Sequence, residues 1–219
     1  MLLEFLVLSS AAPPYAYGVQ TDPEHGKICS GKYLNPINYA DANIVENTFH
    51  NLTFHGWEVI PDNMQIINNG QTVVLKMDFR QGQDPKVYLG PIKTEAPYDL
   101  DHLYFYFLEP EPYPSELHVI MRRLEGHDED FGLAVLAFSI LPSQYYNAPY
   151  DELTQSLEFI QGIGDTAHLM KRMSIRSFVS QDLDTYYSYE GSLITSCSKR
   201  VLWVDFVDPI DVLSYQVRH

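Results

Sequence analysis

Hydrophobic and polar residues alternate along much of the chain, most clearly from Tyr98 to Pro110 (YDLDHLYFYFLEP). A period of two is typical of a β-strand, whose side chains point alternately to the two faces of a sheet. The alternation predicts one face made of Asp99, Asp101, Leu103, Phe105 and Phe107 and another made of Leu100, His102, Tyr104 and Tyr106. The second face suits a pocket wall, a set of metal ligands or a half-polar core.

Further alternating runs, among them NLTFHGWEVI, QTVVLKMDF, SELHVIMRR, FGLAVLAFSI and RVLWVDFVDPIDV, are separated by turn signals such as NNGQ and QGQDP. Many strands joined by turns predict a mostly β (α+β) fold with a largely antiparallel central sheet and short peripheral helices. One helix is predicted between Tyr150 and Gly164, where Leu153, Leu157 and Ile160 recur at helical spacing before a glycine. A chain of 219 residues without a repeat or linker fits one domain, which we place at 15–219.

The start of the chain has features of a secreted protein. An apolar run followed by small residues predicts a signal peptide over 1–14, and a buried N-terminal strand is the alternative. Two cysteines, Cys29 and Cys197, are compatible either with one long-range disulfide or with two separate buried thiols. Asn51 begins the glycosylation acceptor pattern Asn-Leu-Thr. Together these features predict secretion.

The charge limits the partners that the protein can bind. A formal net charge of −15 and a pI of about 4.7 repel phosphate backbones, sulfated glycans and anionic lipid heads. We therefore expect no nucleic acid or sulfated glycan partner. We also expect no membrane span, because no segment reaches the roughly 20 apolar residues that a spanning helix needs.

Several ordered segments carry a family resemblance. SELHVIMRR, FGLAVLAFSI and TYYSYEGSLIT, with LNPINY and NNGQ upstream, resemble the motifs of the α-carbonic anhydrases in order and approximate spacing. The resemblance implies a twisted, mostly antiparallel sheet with the active site at the foot of a cone-shaped cleft. It also implies a disulfide between Cys29 and Cys197, as in secreted members. Compared with the family pattern, this sequence is expected to lack the last C-terminal segment.

In active members of the family, two histidines on one strand and one on the next hold a catalytic zinc. Three neutral imidazoles leave the zinc its full charge, which lowers the pKa of the bound water to about 7. The resemblance puts Tyr104 and Tyr106 at the first two ligand positions and leaves only His118. A neutral phenol, with a pKa of about 10, is a poor zinc ligand, so no cofactor is expected.

Two further catalytic positions also differ from the family pattern. Ile194 stands where the family has the threonine that accepts the hydrogen bond of zinc-bound hydroxide, and Gln71 stands where it has the proton-shuttle histidine. Gln71 cannot titrate near neutral pH. A shift of the strand alignment that makes His102 a ligand breaks other matches to the family and still supplies only two imidazoles. Glu109 or Glu111, in the loop after this strand, is a further carboxylate that could approach the site.

The sequence therefore predicts a secreted carbonic anhydrase-related protein without CO2 hydratase activity that binds an extracellular protein. The predicted pocket consists of His102, Tyr104, Tyr106, His118, Leu193 and Thr195. The alternatives are a zinc-dependent carbonic anhydrase with a non-standard site and a protein that binds a small ligand in the cleft. In the first alternative, zinc is the cofactor and His118 binds it together with His102 or a loop glutamate.

Overall fold

A computed structural model describes residues 45, 49–92, 96–106, 115–124, 131–193 and 196–216, without the side chains of 196–199. Most of these residues belong to one large sheet, flanked by a single α-helix, α1 (Ala148–Leu157), and two short 3₁₀ turns at Ile175–Ser177 and Ser214–Gln216. The strands are β1 (Leu52–His55), β2 (Asn63–Asn68), β3 (Val73–Asp78), β4 (Lys86–Leu89), β5 (Tyr98–Tyr106), β6 (Ser115–Arg122), β7 (Leu133–Ser143), β8 (Thr166–His168), β9 (Tyr186–Leu193) and β10 (Ser196–Leu213).

The strands pair in the order β8-β2-β3-β5-β6-β7-β10-β9, and β4 joins β5 to β1 beside this path. Pairing is antiparallel throughout, except between β7 and β10, which run parallel. The predicted fold class, a largely antiparallel sheet with few helices, is confirmed.

The main core lies on the sheet face that α1 covers. Leu103 and Phe105 of β5 are buried there, and Tyr150, Leu153 and Leu157 of α1 pack against the same cluster. The Phe105 and Tyr150 rings meet edge to face, with their centroids 6.0 Å apart. The alternation of β6, and of β5 from His102 onward, explains this core, because every second side chain points toward the helix.

The predicted helix exists but has other bounds. It begins earlier than Tyr150, because Pro149 fits the first turn, where its missing N–H costs no hydrogen bond. It ends at Leu157, after which Phe159 and Ile160 donate to carbonyls only three residues back. Ile160 is buried in the core as its spacing suggested, but it lies in the turn after the helix rather than within it.

The predicted faces of β5 are wrong at its beginning, because the β5–β6 register shifts between Leu100 and His102. Such a bulge places one extra residue on a strand and changes the face of the side chains that precede it. Leu100 consequently packs against the main core, where the alternation predicted Asp101. Asp101 instead bonds to His102 and to Arg122 on β6.

None of the helices in the described part of the chain is long and apolar enough to cross a membrane.

Candidate functional site

Six rings on the sheet face opposite the main core form a continuous series, which we call the aromatic row. They are His102, Tyr104 and Tyr106 of β5, His118 of β6, Trp203 of β10 and Tyr189 of β9. Successive ring centroids lie 4.4, 6.1, 4.7, 5.1 and 6.0 Å apart. The two phenols of β5 thus stand between the two imidazoles, so that His102 and His118 lie at different places in the row.

Strand pairing explains how side chains distant in sequence meet in this row. Tyr104 lies opposite His118 and Tyr106 lies opposite Glu116 in the β5–β6 ladder. Directly opposed residues of an antiparallel pair direct their side chains to the same face. Trp203 reaches the row from β10, and a second apolar cluster of Ile120, Val135, Ala137, Val201 and Trp203 packs against Tyr104, Tyr189 and Leu193.

His118 is held by a carboxylate. Its Nε2 lies 2.8 Å from Glu116 Oε2, and its side chain is only 3 % exposed whereas that of Glu116 is 39 % exposed. Since a carboxylate only accepts hydrogen bonds, the Nε2–H group donates to Glu116, and Nδ1 takes no part in this bond. Trp203 meets the His118 ring at 90° and is itself fixed by a bond from its Nε1 to the Ser192 carbonyl oxygen, at 3.1 Å.

His102, the first ring of the row, is held in a similar way. Asp101 accepts a hydrogen bond from Nδ1 of His102 at 3.0 Å and from Nη2 of Arg122 at 2.7 Å. The hydrogen bond from His102, with help from Arg122, lowers the pKa of Asp101 from 3.8 to about 2, although burial opposes the shift. Asp101 is therefore ionised at neutral pH, Nδ1 of His102 carries the proton, and buried Nε2 has no partner among the described residues.

The phenols between these imidazoles are poorly suited to bind zinc. Burial, reinforced by the nearby charge of Asp101 and opposed by Arg122, raises the pKa of Tyr104. A tyrosine must lose its proton to bind zinc well, so a raised pKa makes the donor weaker. His118, Tyr104 and Tyr106 are thus a donor set that does not fit a catalytic zinc.

Some predicted site residues lie outside the described part of the chain: the segment 1–14, Cys29, Glu109, Glu111, Ile194, Thr195 and the side chain of Cys197. The described residues contain no group of three or more His, Cys, Asp or Glu side chains that could hold a metal. Since candidate ligands lie in the segments outside the described residues, the expected absence of zinc stays a prediction.

Other predicted residues are placed by the structure. It brings together His102, Tyr104, Tyr106, His118 and Leu193 on one face. Gln71 is exposed in the turn before β3, where its N–H donates to Asn69 Oδ1 at 2.9 Å. Asn51 is exposed immediately before β1, and its Nδ2 lies 3.5 Å from Asp184 Oδ1.

Sequence reasoning missed four residues that shape the site: Asp101, Arg122, Tyr189 and Trp203. Trp203 has a usable signal, because Val201, Trp203 and Asp205 alternate in RVLWVDF and share one face of β10. Tyr189 follows from the β9–β10 pairing, in which it lies directly opposite Trp203. Asp101 has no such signal, because the sequence around the bulge that brings it to the row shows the same alternation as a regular strand.

Comparisons with known proteins agree with the fold. The family model described as eukaryotic-type carbonic anhydrase matches residues 20–219. Carbonic anhydrase 6 of Bos taurus is 26 % identical over 99 % of this chain and 74 % of that protein. Carbonic anhydrase 6 of Homo sapiens is 23 % identical over 89 % of this chain and 68 % of that protein. Among solved structures, the α-carbonic anhydrase of Photobacterium profundum superimposes with a TM-score of 0.67 at 21 % identity, covering 84 % of this chain and 78 % of that one.

Proposed function

Because the chain belongs to the eukaryotic-type carbonic anhydrase family, we propose that it is a secreted member without CO2 hydratase activity that acts by binding an extracellular protein. The observation that carries this proposal is the pair Tyr104 and Tyr106 in the aromatic row, at the positions where the family resemblance implies zinc-binding histidines. One imidazole and two phenols do not give the zinc environment that three imidazoles give.

The surroundings of the two phenols support a filled site rather than a metal centre. Tyr104 packs between His102 and Tyr106, and Tyr106 packs against His118. Van der Waals contact between these rings takes the place of metal–ligand bonds in holding β5 and β6 side chains together. Glu116 accepts a hydrogen bond from His118 Nε2, so the remaining imidazole has a structural partner.

Secretion is the second part of the proposal. Asn51 is exposed, as an N-glycosylated asparagine must be, and it is followed by Leu52 and Thr53 in the acceptor pattern. The signal-like start and the pair Cys29 and Cys197 agree with an oxidising compartment. Expression in a secreting cell tests this part: the protein is expected in the medium with a glycan that Asn51→Gln removes.

Metal analysis tests the loss of activity directly. Purified protein is expected to contain far less than one zinc per chain and to hydrate CO2 no faster than buffer does. Stoichiometric zinc, or CO2 hydration that a sulfonamide inhibits, would contradict the proposal. The control for metal carried over from purification is His118→Ala, which removes the remaining ligand of the predicted set.

Restoring the ligands provides a stronger test. The double variant Tyr104→His/Tyr106→His is expected to gain zinc, because it places three imidazoles around one point and keeps Glu116 behind His118. The matched control is Tyr145→His/Tyr187→His, which adds two histidines at exposed tyrosines. Zinc bound equally by both double variants would mean that adventitious histidines, rather than the site, bind the metal.

One observation favours a zinc enzyme as the second candidate. His102 and His118 both donate to a carboxylate, as histidines that bind metals in proteins usually do. Against it, the phenols of Tyr104 and Tyr106 separate the two imidazoles in the row. In this alternative, His102→Ala lowers the zinc content of the purified protein, whereas the favoured proposal expects no change.

A further inference from the structure

Three tyrosines at one end of the sheet are exposed although they are large and partly apolar. Tyr145, Tyr146 and Tyr215 are 62 %, 57 % and 56 % exposed. Tyr146 donates to Asp151 Oδ2 at 2.8 Å, and Tyr215 lies 3.5 Å from Asp151 Oδ1, so both rings flank one carboxylate. We call Tyr145, Tyr146 and Tyr215, together with Asp151 and Asp211, the tyrosine platform.

The platform rests on a rigid support. Gln216 is fully buried, and its Oε1 accepts hydrogen bonds from the N–H groups of Asn147 and Leu213 at 3.0 and 3.2 Å. Its Nε2 donates to the carbonyl oxygen of Asn147 at 2.8 Å, and its own carbonyl oxygen accepts from Thr154 Oγ1 at 3.0 Å. One side chain thus ties the turn that bears Tyr215 to the start of α1.

β10 reaches the same end of the sheet at Asp211. Asp211 is exposed, lies opposite Leu141 in the β7–β10 pair, and its carbonyl oxygen accepts a bond from Asn147 Nδ2 at 3.0 Å. Leu141 is itself 39 % exposed. Because Asn147 follows Tyr146 in the chain, its bond to Asp211 brings Asp211 and Leu141 to the neighbourhood of the tyrosines.

Rigid exposed tyrosines are favourable for recognition. Tyrosine offers a large apolar surface and a polar group at the cost of few rotatable bonds, which makes it one of the residues enriched at binding hot spots. A support that is already ordered also reduces the entropy lost on binding. Exposed aromatic residues on a mobile loop lack this advantage.

Charge identifies the partner that fits. In the described part of the chain, the Asp151 side chain bonds to Tyr146, Tyr215 and Gln155 rather than to a cation, and no ion pair includes Asp211. A second copy of this chain, with its own net charge of −15, is repelled. A guanidinium group stacks on tyrosine faces and donates to carboxylates in a planar fork, and a lysine ammonium does this less well.

We propose that the tyrosine platform docks an arginine-bearing segment of a partner protein. The guanidinium groups stack on Tyr145, Tyr146 and Tyr215 and donate to Asp151 and Asp211. The proposal gives a partner chemistry to the binding function proposed above, on which it rests for its biological role. The binding itself does not depend on whether the aromatic row holds zinc.

Fluorescence anisotropy with a labelled Arg-Gly-Ser repeat peptide tests the proposal on the full-length protein. Wild type is expected to bind this peptide saturably, more tightly than the Lys-Gly-Ser analogue, and not to bind the Glu-Gly-Ser analogue. Tyr146→Ala/Tyr215→Ala is expected to weaken binding at least tenfold, which corresponds to about 1.4 kcal/mol. The net charge is unchanged in this variant, so the loss reports the rings.

Two matched controls separate the platform from general attraction between opposite charges. Phe159→Ala/Met170→Ala removes two side chains that are 70 % and 92 % exposed elsewhere, and it is expected to leave affinity within twofold of wild type. Asp211→Asn and Asp84→Asn remove the same charge from two exposed sites, and only the first is expected to weaken binding. Circular dichroism confirms that each variant folds.

The proposal is overturned if wild type does not bind the arginine peptide saturably, or if the control variants lose as much affinity as the platform variants. It is also overturned if sedimentation shows a dimer that Tyr146→Ala/Tyr215→Ala dissociates, because the occupant is then a second copy. A finding of stoichiometric zinc removes only the proposed loss of catalysis, and leaves the peptide result standing.

Discussion

On β5, Leu103 and Phe105 are buried in the main core, whereas Tyr104 and Tyr106 on the opposite face are only partly buried and belong to the aromatic row. Phe105 is surrounded by apolar rings, such as those of Tyr150 and Phe178. The row instead contains two imidazoles, each held by a carboxylate. The side chains on the two faces of β5 are therefore held in different ways, on one face by apolar packing and on the other by hydrogen bonds.

The difference between the two faces of β5 indicates which face can accept substitutions without unfolding the protein. A fully buried apolar side chain contributes through area and close packing, so its removal leaves a cavity. The row has solvent along part of its surface, so a change there alters ring contacts and hydrogen bonds while the core stays intact. This agrees with the proposed loss of the family's zinc ligands from this face while the fold is retained.

The largest effect is expected for the core side of β5. Phe105→Ala is expected to lower the free energy of unfolding by about 3–5 kcal/mol, because it empties a site that is only 1 % exposed. Urea denaturation measures this loss. Phe159→Ala, which truncates a phenylalanine that is 70 % exposed, is the control and is expected to change stability by less than about 0.5 kcal/mol. Equal losses in the two variants would remove the distinction between core and surface.

The next effect concerns the carboxylate that holds His118. Glu116→Ala is expected to cost about 1–3 kcal/mol, because it leaves a buried ring N–H without its acceptor. Asp62→Ala breaks the exposed contact with Arg80, at side-chain exposures of 49 % and 74 %, and is expected to cost less than about 1 kcal/mol. Urea denaturation of both variants compares the polar contact of the row with an ordinary surface pair.

A third effect depends on pH and concerns the carboxylate that holds His102. The pKa of Asp101 is lowered on folding from 3.8 to about 2, so the stabilisation is fully present above pH 3.8 and disappears as the pH falls to about 2. Asp101→Asn is expected to cost up to about 2 kcal/mol near neutral pH, at about 1.36 kcal/mol per pKa unit. Its difference from wild type is expected to shrink between pH 3.8 and about 2.

Urea denaturation of wild type and Asp101→Asn across this pH range measures the shrinkage. Asp84→Asn, in an exposed loop, is the control and is expected to show no comparable pH-dependent difference. A difference between Asp101→Asn and wild type that stays constant with pH would mean that the side chain contributes by its shape rather than by its charge.

The smallest effect on stability is expected for the hydroxyl group of Tyr104. Tyr104→Phe keeps the ring between His102 and Tyr106 and removes only the oxygen, so we expect a loss of less than about 1 kcal/mol. Tyr104→Ala is the comparison, since it also removes the ring contacts and is expected to cost clearly more. If Tyr104→Phe costs as much as Tyr104→Ala, the hydroxyl rather than the ring orders the row.

The strands could be predicted from sequence because their alternation is strong, and the family resemblance added the sheet's overall arrangement. The alternation could not locate the bulge, because a strand that shifts register between Leu100 and His102 has the same apolar–polar pattern as a regular one. Because of this bulge, Leu100 and His102 lie on opposite faces of the sheet, and Asp101 lies beside His102. The helix limits were missed for a local reason, since Pro149 starts the helix and Ile160 is buried without being helical.

For the site, sequence could place His102, Tyr104, Tyr106 and His118 on two neighbouring strands, because period and resemblance agree there. It could not show that Trp203 and Tyr189 extend the row, since this requires β10 to lie between β7 and β9. The platform was likewise hidden, because Tyr146 and Tyr215 are distant in sequence and meet only in the fold, at Asp151. Long-range strand order is the information that local pattern lacks.

The place of β10 in the sheet also has a kinetic consequence. The pairs β2–β3, β5–β6 and β6–β7 join strands that follow one another in the chain, so each forms by a short loop closure during synthesis. β10 lies parallel to β7 and between it and β9, so it enters the sheet only after α1, β8 and β9 have been made. A ribosome-bound chain that stops before Trp203 therefore holds the four rings of β5 and β6 without the contact to Trp203, and the emergence of β10 completes the row.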